Sequence, residues 1–144
     1  MIDAPRLTTT WAPRVLSLLR IIAGLLFLEH GLAKVCDFPH GGFPGAPIPI
    51  AGVLGASALI ELIGSPFIVL GLFTRPVAFL LSGEMAVAYF LVHAPTGFFP
   101  ILNHGEEAIL YCFIFLYLSV AGAGAWSLDQ VLGSRRTVVP ATSG

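Results

Sequence analysis

Four long apolar stretches run through this chain, separated by short segments rich in Gly and Pro. They cover about Pro13 to Lys34, Ile48 to Phe73, Arg75 to His93 and His104 to Ala125 (13–34, 48–73, 75–93 and 104–125). Each is close to the ~20 residues that a helix needs to cross a ~30 Å hydrocarbon core. Inside that core every backbone amide must be bonded within the protein, so helices are expected for all four. The pattern predicts an all-α fold, a membrane-spanning four-helix bundle. A tail, residues 1–12, precedes the transmembrane domain 13–133, and residues 134–144 are expected to form a disordered tail.

Polar positions interrupt the apolar stretches in a regular way. Span one carries Glu29 and His30, span two Glu61, span three Glu84, and span four opens with Glu106 and Glu107. One charged residue at mid-span costs roughly 2.5–3.5 kcal/mol on insertion scales. An acid in every span therefore points to one shared polar site inside the bundle. At a rise of ~1.5 Å per residue, Glu61 and Glu84 fall near the midplane, while Glu29, His30 and Glu107 lie nearer the longer loops. Ser57, Glu61, Gly64 and Ser65 share one side of span two, and Tyr111 shares a face with Glu107. His93 follows Glu84 by nine positions, which on an ideal helix sends it to the opposite face and assigns it to the mouth.

Composition agrees with a membrane protein. Of 144 residues, 56% are hydrophobic and only 10% are charged, against about 25% charged in soluble domains. The net charge of −1 comes without a basic run that would suggest nucleic acid. The basic residues are asymmetric. Arg6, Arg14, Arg20, Arg75, Arg135 and Arg136 fall on one side, and Lys34 alone on the other. The positive-inside rule then places both termini in the cytoplasm, in a bacterium across the inner membrane. Loops Val35–Pro49 and Ala94–Asn103 would face the periplasm. Both carry phenylalanines, and they are expected either to cover the bundle mouth as lids or to rest at the interface. The first stretch follows basic residues as a signal peptide does, but its Glu29 and His30 and three further spans favour a retained helix.

Local signals refine this picture. Ala51, Gly52, Gly55 and Ala56 predict close approach of a neighbouring helix, from this chain or from a second copy in a homo-oligomer. Pro66 predicts a bend one turn from Glu61. Ser127 and Gln130 match a capping box that would start a short interfacial helix, with Trp126 at headgroup depth.

A carboxyl buried without a cation favours its neutral form. Glu61 and Glu84 are thus expected as hydrogen-bond donors or proton carriers, with Glu29 and His30 as a relay at the mouth. A quinone fits such a site, because its carbonyls accept hydrogen bonds and its reduction takes up protons. A proton-coupled small-solute transporter fits too. The plainer alternative is hydrogen-bond glue between helices, at ~0.6 kcal/mol per contact. Glu106 and Glu107 also suit a helix N-terminus for electrostatic reasons alone. No metal, haem or nucleotide is expected. Di-iron bundles use Glu-x-x-His motifs, and the chain has only a reversed His104-Gly-Glu-Glu107. Cys36 and Cys112 lack redox or metal spacing and read as inert thiols.

Three segments together resemble the DoxX family of small four-span membrane proteins. They are Arg20-Ile-Ile-Ala-Gly-Leu-Leu-Phe-Leu-Glu-His-Gly-Leu-Ala-Lys34, then Glu61 with Leu70-Gly-Leu-Phe-Thr-Arg75, then Ala123-Gly-Ala-Trp-Ser-Leu-Asp129. The resemblance spans about Val15 to Leu132. It implies a four-helix transmembrane bundle with both termini on one side. It also implies that Glu29, His30, Lys34 and Glu61 sit at recurrent polar positions. The family name comes from a subunit associated with thiosulfate:quinone oxidoreduction, and other members are linked to oxidative-stress complexes.

The leading expectation is an integral membrane subunit of a quinone-linked redox system, with membrane lipid around it and a partner protein supplying electrons. Its ligand or proton site would comprise Glu61, Glu84, Glu29, His30, Lys34, Glu107 and Tyr111. The alternatives are the transporter and a non-catalytic assembly or scaffold protein.

Overall fold

The computed structural model describes residues 7–136, and among them it is entirely helical, with no strand. A π-helical turn, Leu7–Trp11, leads into α1, Ala12–Cys36. Then come α2, Val53–Leu70, and α3, Thr74–Ala88. A π-turn Tyr89–His93 and a 3-10 turn Ala94–Thr96 extend α3. A single turn Pro100–Asn103 precedes α4, Glu106–Ala121, and α5 covers Leu128–Arg136. Of the expected tails, 1–12 and 134–144, residues 7–12 and 134–136 are helical, and 1–6 and 137–144 lie outside the described residues.

Three helical runs are long and apolar enough to cross a membrane: Leu7–Cys36, Val53–Leu70 and Thr74–Thr96. The fourth expected span is helical only over the 16 residues Glu106–Ala121, a rise of about 24 Å. It starts at Glu106 instead of His104 because His104 adopts the left-handed region, φ 55. Similarly, α2 starts at Val53 instead of Ile48. The proline-rich loop turns back on α1, where the Ile48 amide donates to the Lys34 carbonyl at 2.9 Å.

α1 packs along α2, and α3 along α4, while α2 and α3 meet more narrowly. Phe27, Ile68, Leu81, Phe115 and Leu118 form the centre of the core. Within the chain, Gly55 of the small-residue run 51–56 packs against its own loop instead of a neighbouring helix. A Cβ on Gly55 would lie 2.0 Å from the Ile50 carbonyl oxygen of its own loop. The close approach is made by Gly31 of α1, where a Cβ would lie 2.9 Å from the Leu62 amide nitrogen. Pro66 sits inside α2, which continues to Leu70.

The end of the molecule formed by the α2–α3 turn is tied by polar contacts that the positive-inside reading did not foresee. Arg20 is fully buried. Its Nε donates to the Ala123 carbonyl at 2.8 Å, Nη2 to Trp126 at 2.5 Å, and Nη1 to Val69 at 2.6 Å and to Ile68. Arginine suits this place because one planar fork serves several carbonyls. Ser17 accepts from the Trp126 amide at 2.9 Å. Asp129 caps α3, accepting from the Phe73 and Thr74 amides at 2.8 and 2.9 Å. The expected cap on α5 is present in its backbone half, with the Gln130 amide donating to Ser127 Oγ at 3.2 Å. Removing a cap costs about 1 kcal/mol. Asp129→Ala is therefore expected to lower stability by about that amount, read from reversible unfolding in mixed micelles. An unchanged midpoint would show that α3 does not depend on this cap.

Candidate functional site

Four side chains from three helices meet in one polar chain. Lys34 leaves the last turn of α1, Ser57 and Glu61 stand one turn apart on α2, and Glu84 faces them from α3. Lys34 Nζ donates to Glu61 Oε1 at 2.5 Å and to Ser57 Oγ at 3.2 Å. Ser57 Oγ lies 3.1 Å from Glu61 Oε1 and 2.7 Å from Glu84 Oε1. Glu61 is 1% exposed and Lys34 9%. The second oxygens of both glutamates, Oε2, are buried without a hydrogen-bond partner.

Hydrogen-bond counting constrains the protons. Ser57 has one proton to give and two lone pairs to receive with. Lys34 donates to it, and two carboxyl oxygens lie against it. The hydroxyl can donate to only one of the two carboxyl oxygens, Glu61 Oε1 or Glu84 Oε1, at a time. The ammonium at 2.5 Å from Glu61 Oε1 supplies the one cation of the set, so two carboxyls share a single basic partner, an arrangement that a low-dielectric interior tolerates only when the charges balance. This corrects the expectation that both acids lack a cation. Lys34 is the chain's only lysine, and it points inward to Glu61 instead of marking a surface.

The polar chain forms one wall of a cavity of about 940 Å³. His30 and Tyr111 line it as well, their rings 5.8 Å apart edge to face. Phe27 supports both, with its ring 5.1 Å from that of Tyr111. Phe43, from the loop after α1, lines the cavity and sits 5.6 Å from Lys34 Nζ, so part of that loop does cover the mouth. The second loop differs. Its Phe98 is 87% exposed and points away from the site. Within the first loop, Asp37 accepts from His40 at 3.0 Å; this contact, then the Gly41 amide, holds its carboxyl below the usual range.

Glu107 and His104 reach the cavity from the start of α4. His93 lines it too, although ideal geometry sets it opposite Glu84. The π-turn Tyr89–His93 changes the helical phase between them. Its Nδ1 is engaged with the Asn103 carbonyl at 3.0 Å. Glu29 is exposed and does not line the cavity. Of the seven expected site residues the structure thus gathers Glu61, Glu84, His30, Lys34, Glu107 and Tyr111, and leaves out Glu29. It adds Ser57, whose signal in the sequence was its place one turn before Glu61. Among the described residues no group of three or more His, Cys, Asp or Glu stands together in a way that would hold a metal. Both cysteines are free.

The cavity has an apolar side. Between α2 and α3 it is bordered by Phe79, Leu80, Val87 and Leu91, all largely exposed on the outer surface of the helices. In a membrane that surface meets hydrocarbon, so the space joins a carboxylate floor to a lipid-facing cleft.

The family profile described as DoxX matches residues 15–94. An uncharacterized protein of Haemophilus influenzae is 47% identical over 126 residues, covering 83% of this chain and 92% of that protein. An uncharacterized membrane protein of Mycobacterium tuberculosis is 29% identical over 147 residues, 92% of this chain and 90% of its own. A Bacillus subtilis protein provisionally named oxidoreductase CatD is 31% identical over 116 residues, 78% of this chain and 82% of its own. No solved structure matches the chain.

Proposed function

This chain belongs to the DoxX family of membrane proteins, and from that premise we propose that it is the membrane subunit of a redox system, binding a quinone-like molecule at the Lys34–Glu61–Ser57–Glu84 chain. The observation that carries the reading is the pair of unpartnered carboxyl oxygens on Glu61 and Glu84 at the floor of a cavity of about 940 Å³. A quinone carbonyl needs a donor, and a protonated Glu84 is one. Reduction of a quinone takes up protons, and Glu84 and Ser57 lie in line to deliver and replace one, with Lys34 holding the compensating charge on Glu61. The apolar cleft beside Phe79 and Leu91 suits the hydrocarbon tail of a lipid-soluble ligand. The name of the Bacillus subtilis relative favours redox chemistry. No side chain here transfers electrons by itself, so a partner protein supplies them.

The same reading makes the protein a four-helix bundle in a bacterial inner membrane with both termini cytoplasmic. The burial of Lys34 supports it. With that charge spent on Glu61, no unpaired lysine or arginine remains at the loop end among the described residues, while Arg14 and Arg75 stand at the other. That sharpens the asymmetry on which orientation rests.

The test is mass spectrometry of lipid extracts from protein purified in mild detergent. Wild type is expected to carry near-stoichiometric quinone. Glu84→Gln, which keeps shape and a donor but holds no transferable proton, is expected to turn over more slowly with an electron donor while still folding. Glu61→Gln is expected to lose at least tenfold in quinone affinity, about 1.4 kcal/mol. An empty wild-type cavity, with added quinone failing to bind, would overturn the proposal.

A further inference from the structure

A second hollow, of about 820 Å³, lies at the opposite end of the molecule from the carboxylates. It is bounded by Arg14 of α1, by Phe73–Pro76 at the α2–α3 turn, and by the segment Ala121–Ala125 after α4. Both arginines in it lack an acidic partner: among the described residues no carboxylate lies within 4 Å of either. Arg75 is anchored at one nitrogen, Nη1, which donates to the Val120 carbonyl. Its Nη2 lies along the backbone of Gly122, 3.3 Å from where a Cβ would stand there. Arg14 rests over the Trp11 ring at 5.8 Å, a cation–π contact that holds it at the rim.

One acid, Asp129, shares the hollow. Both its oxygens already accept amide protons of Phe73 and Thr74, so its charge is committed to the start of α3. Two arginines against one such aspartate leave a positive balance. Thr74, fully buried, also lines the hollow, and its hydroxyl is the one atom besides the two glutamate oxygens that is buried without a partner among the described residues. Trp11, Phe73 and Trp126 are each more than half exposed around this end. Tryptophan concentrates at the headgroup level of a bilayer, which sets the depth of the hollow.

We infer that this hollow binds the phosphate of an anionic phospholipid headgroup, held between Arg14 and Arg75. Guanidinium groups recognise phosphate oxygens in a two-pronged manner that a neutral surface does not offer. The net positive balance selects lipids whose headgroup carries no compensating cation. The inference is independent of what occupies the carboxylate cavity.

Native mass spectrometry of the full chain in a neutral detergent tests it, with phosphatidylglycerol and phosphatidylcholine titrated in parallel. Phosphatidylglycerol adducts are expected to persist where phosphatidylcholine adducts dissociate. Arg14→Gln is expected to weaken them about fivefold, the contribution of one cation near an anionic lipid surface. Arg14 makes no carbonyl contact among the described residues, so this variant should keep a melting temperature close to that of the wild type. Arg75→Lys, keeping charge but losing the fork, should fall between the two. Equal retention of both lipids, or full phosphatidylglycerol binding by a folded Arg14→Gln protein, would overturn the inference. So would displacement of the lipid by millimolar inorganic phosphate, which would make the hollow a site for soluble phosphate instead.

Discussion

Lys34→Met is expected to destabilise the protein by about 3–5 kcal/mol, the cost of leaving one member of a buried ion pair without its partner. Glu61 is 1% exposed, and among the described residues its only charged contact is the ammonium at 2.5 Å. With the ammonium gone, Glu61 must either stay ionised in a low-dielectric interior or take up a proton. Both outcomes cost stability, and the second also disrupts the count of donors around Ser57. The double variant Lys34→Met, Glu61→Met should recover most of the loss, because two apolar side chains of similar size carry no desolvation penalty. Unfolding by sodium dodecyl sulfate in mixed micelles gives the three free energies, and their cycle gives the coupling. Additive effects of the two single changes would show that the pair contributes nothing, and the protonated Glu84 of the proposed quinone site would lose its basis.

Arg20→Met should do comparable damage at the other end, for a different reason. The guanidinium serves the carbonyls of Ile68, Val69, Ala123 and Trp126. The Ile68 carbonyl has a second donor in the Gly71 amide, whereas no second donor is seen for the other three among the described residues. A buried carbonyl left without a donor costs about 1–3 kcal/mol, so a loss of at least about 3 kcal/mol is expected. Arg20→Lys should rescue only part of it, since an ammonium cannot present the planar fork. Size-exclusion profiles and thermal melts in detergent distinguish these outcomes. A well-folded Arg20→Met protein would mean that water satisfies those carbonyls and that the turn end is looser than its geometry indicates.

The contrast between these two residues shows what was legible in the sequence. Hydropathy finds the apolar helices, and the rule that a buried acid is expensive leads directly to Glu61 and Glu84. The same rule, applied to cations, would have found Lys34 and Arg20. Lys34 entered the expected site only through the family resemblance and Arg20 only as a topology signal, because a positive charge near the end of a span reads the same whether it points out or in. Glu29 misled for the complementary reason. It neighbours His30 in sequence, but adjacent residues on a helix diverge by about a quarter turn or more, and only His30 turns toward the cavity. His93 could not be placed from an ideal period because a π-turn lies between it and Glu84. The segments Leu70–Arg75 and Ala123–Asp129, read separately in the sequence, prove to be partners. They share the contacts of Arg20, Asp129 and Gly71.

The reach of Arg20 along the chain has a consequence for biosynthesis. Its contacts to Ala123 and Trp126 span 103 and 106 positions. When the ribosome has delivered the first helix to the bilayer, that guanidinium has none of its eventual acceptors, and some remain missing until the last apolar helix has been made. The early helices must wait as a partly assembled intermediate with a cation held at the lipid boundary. Completion of this end of the molecule is thus coupled to synthesis of nearly the whole polypeptide.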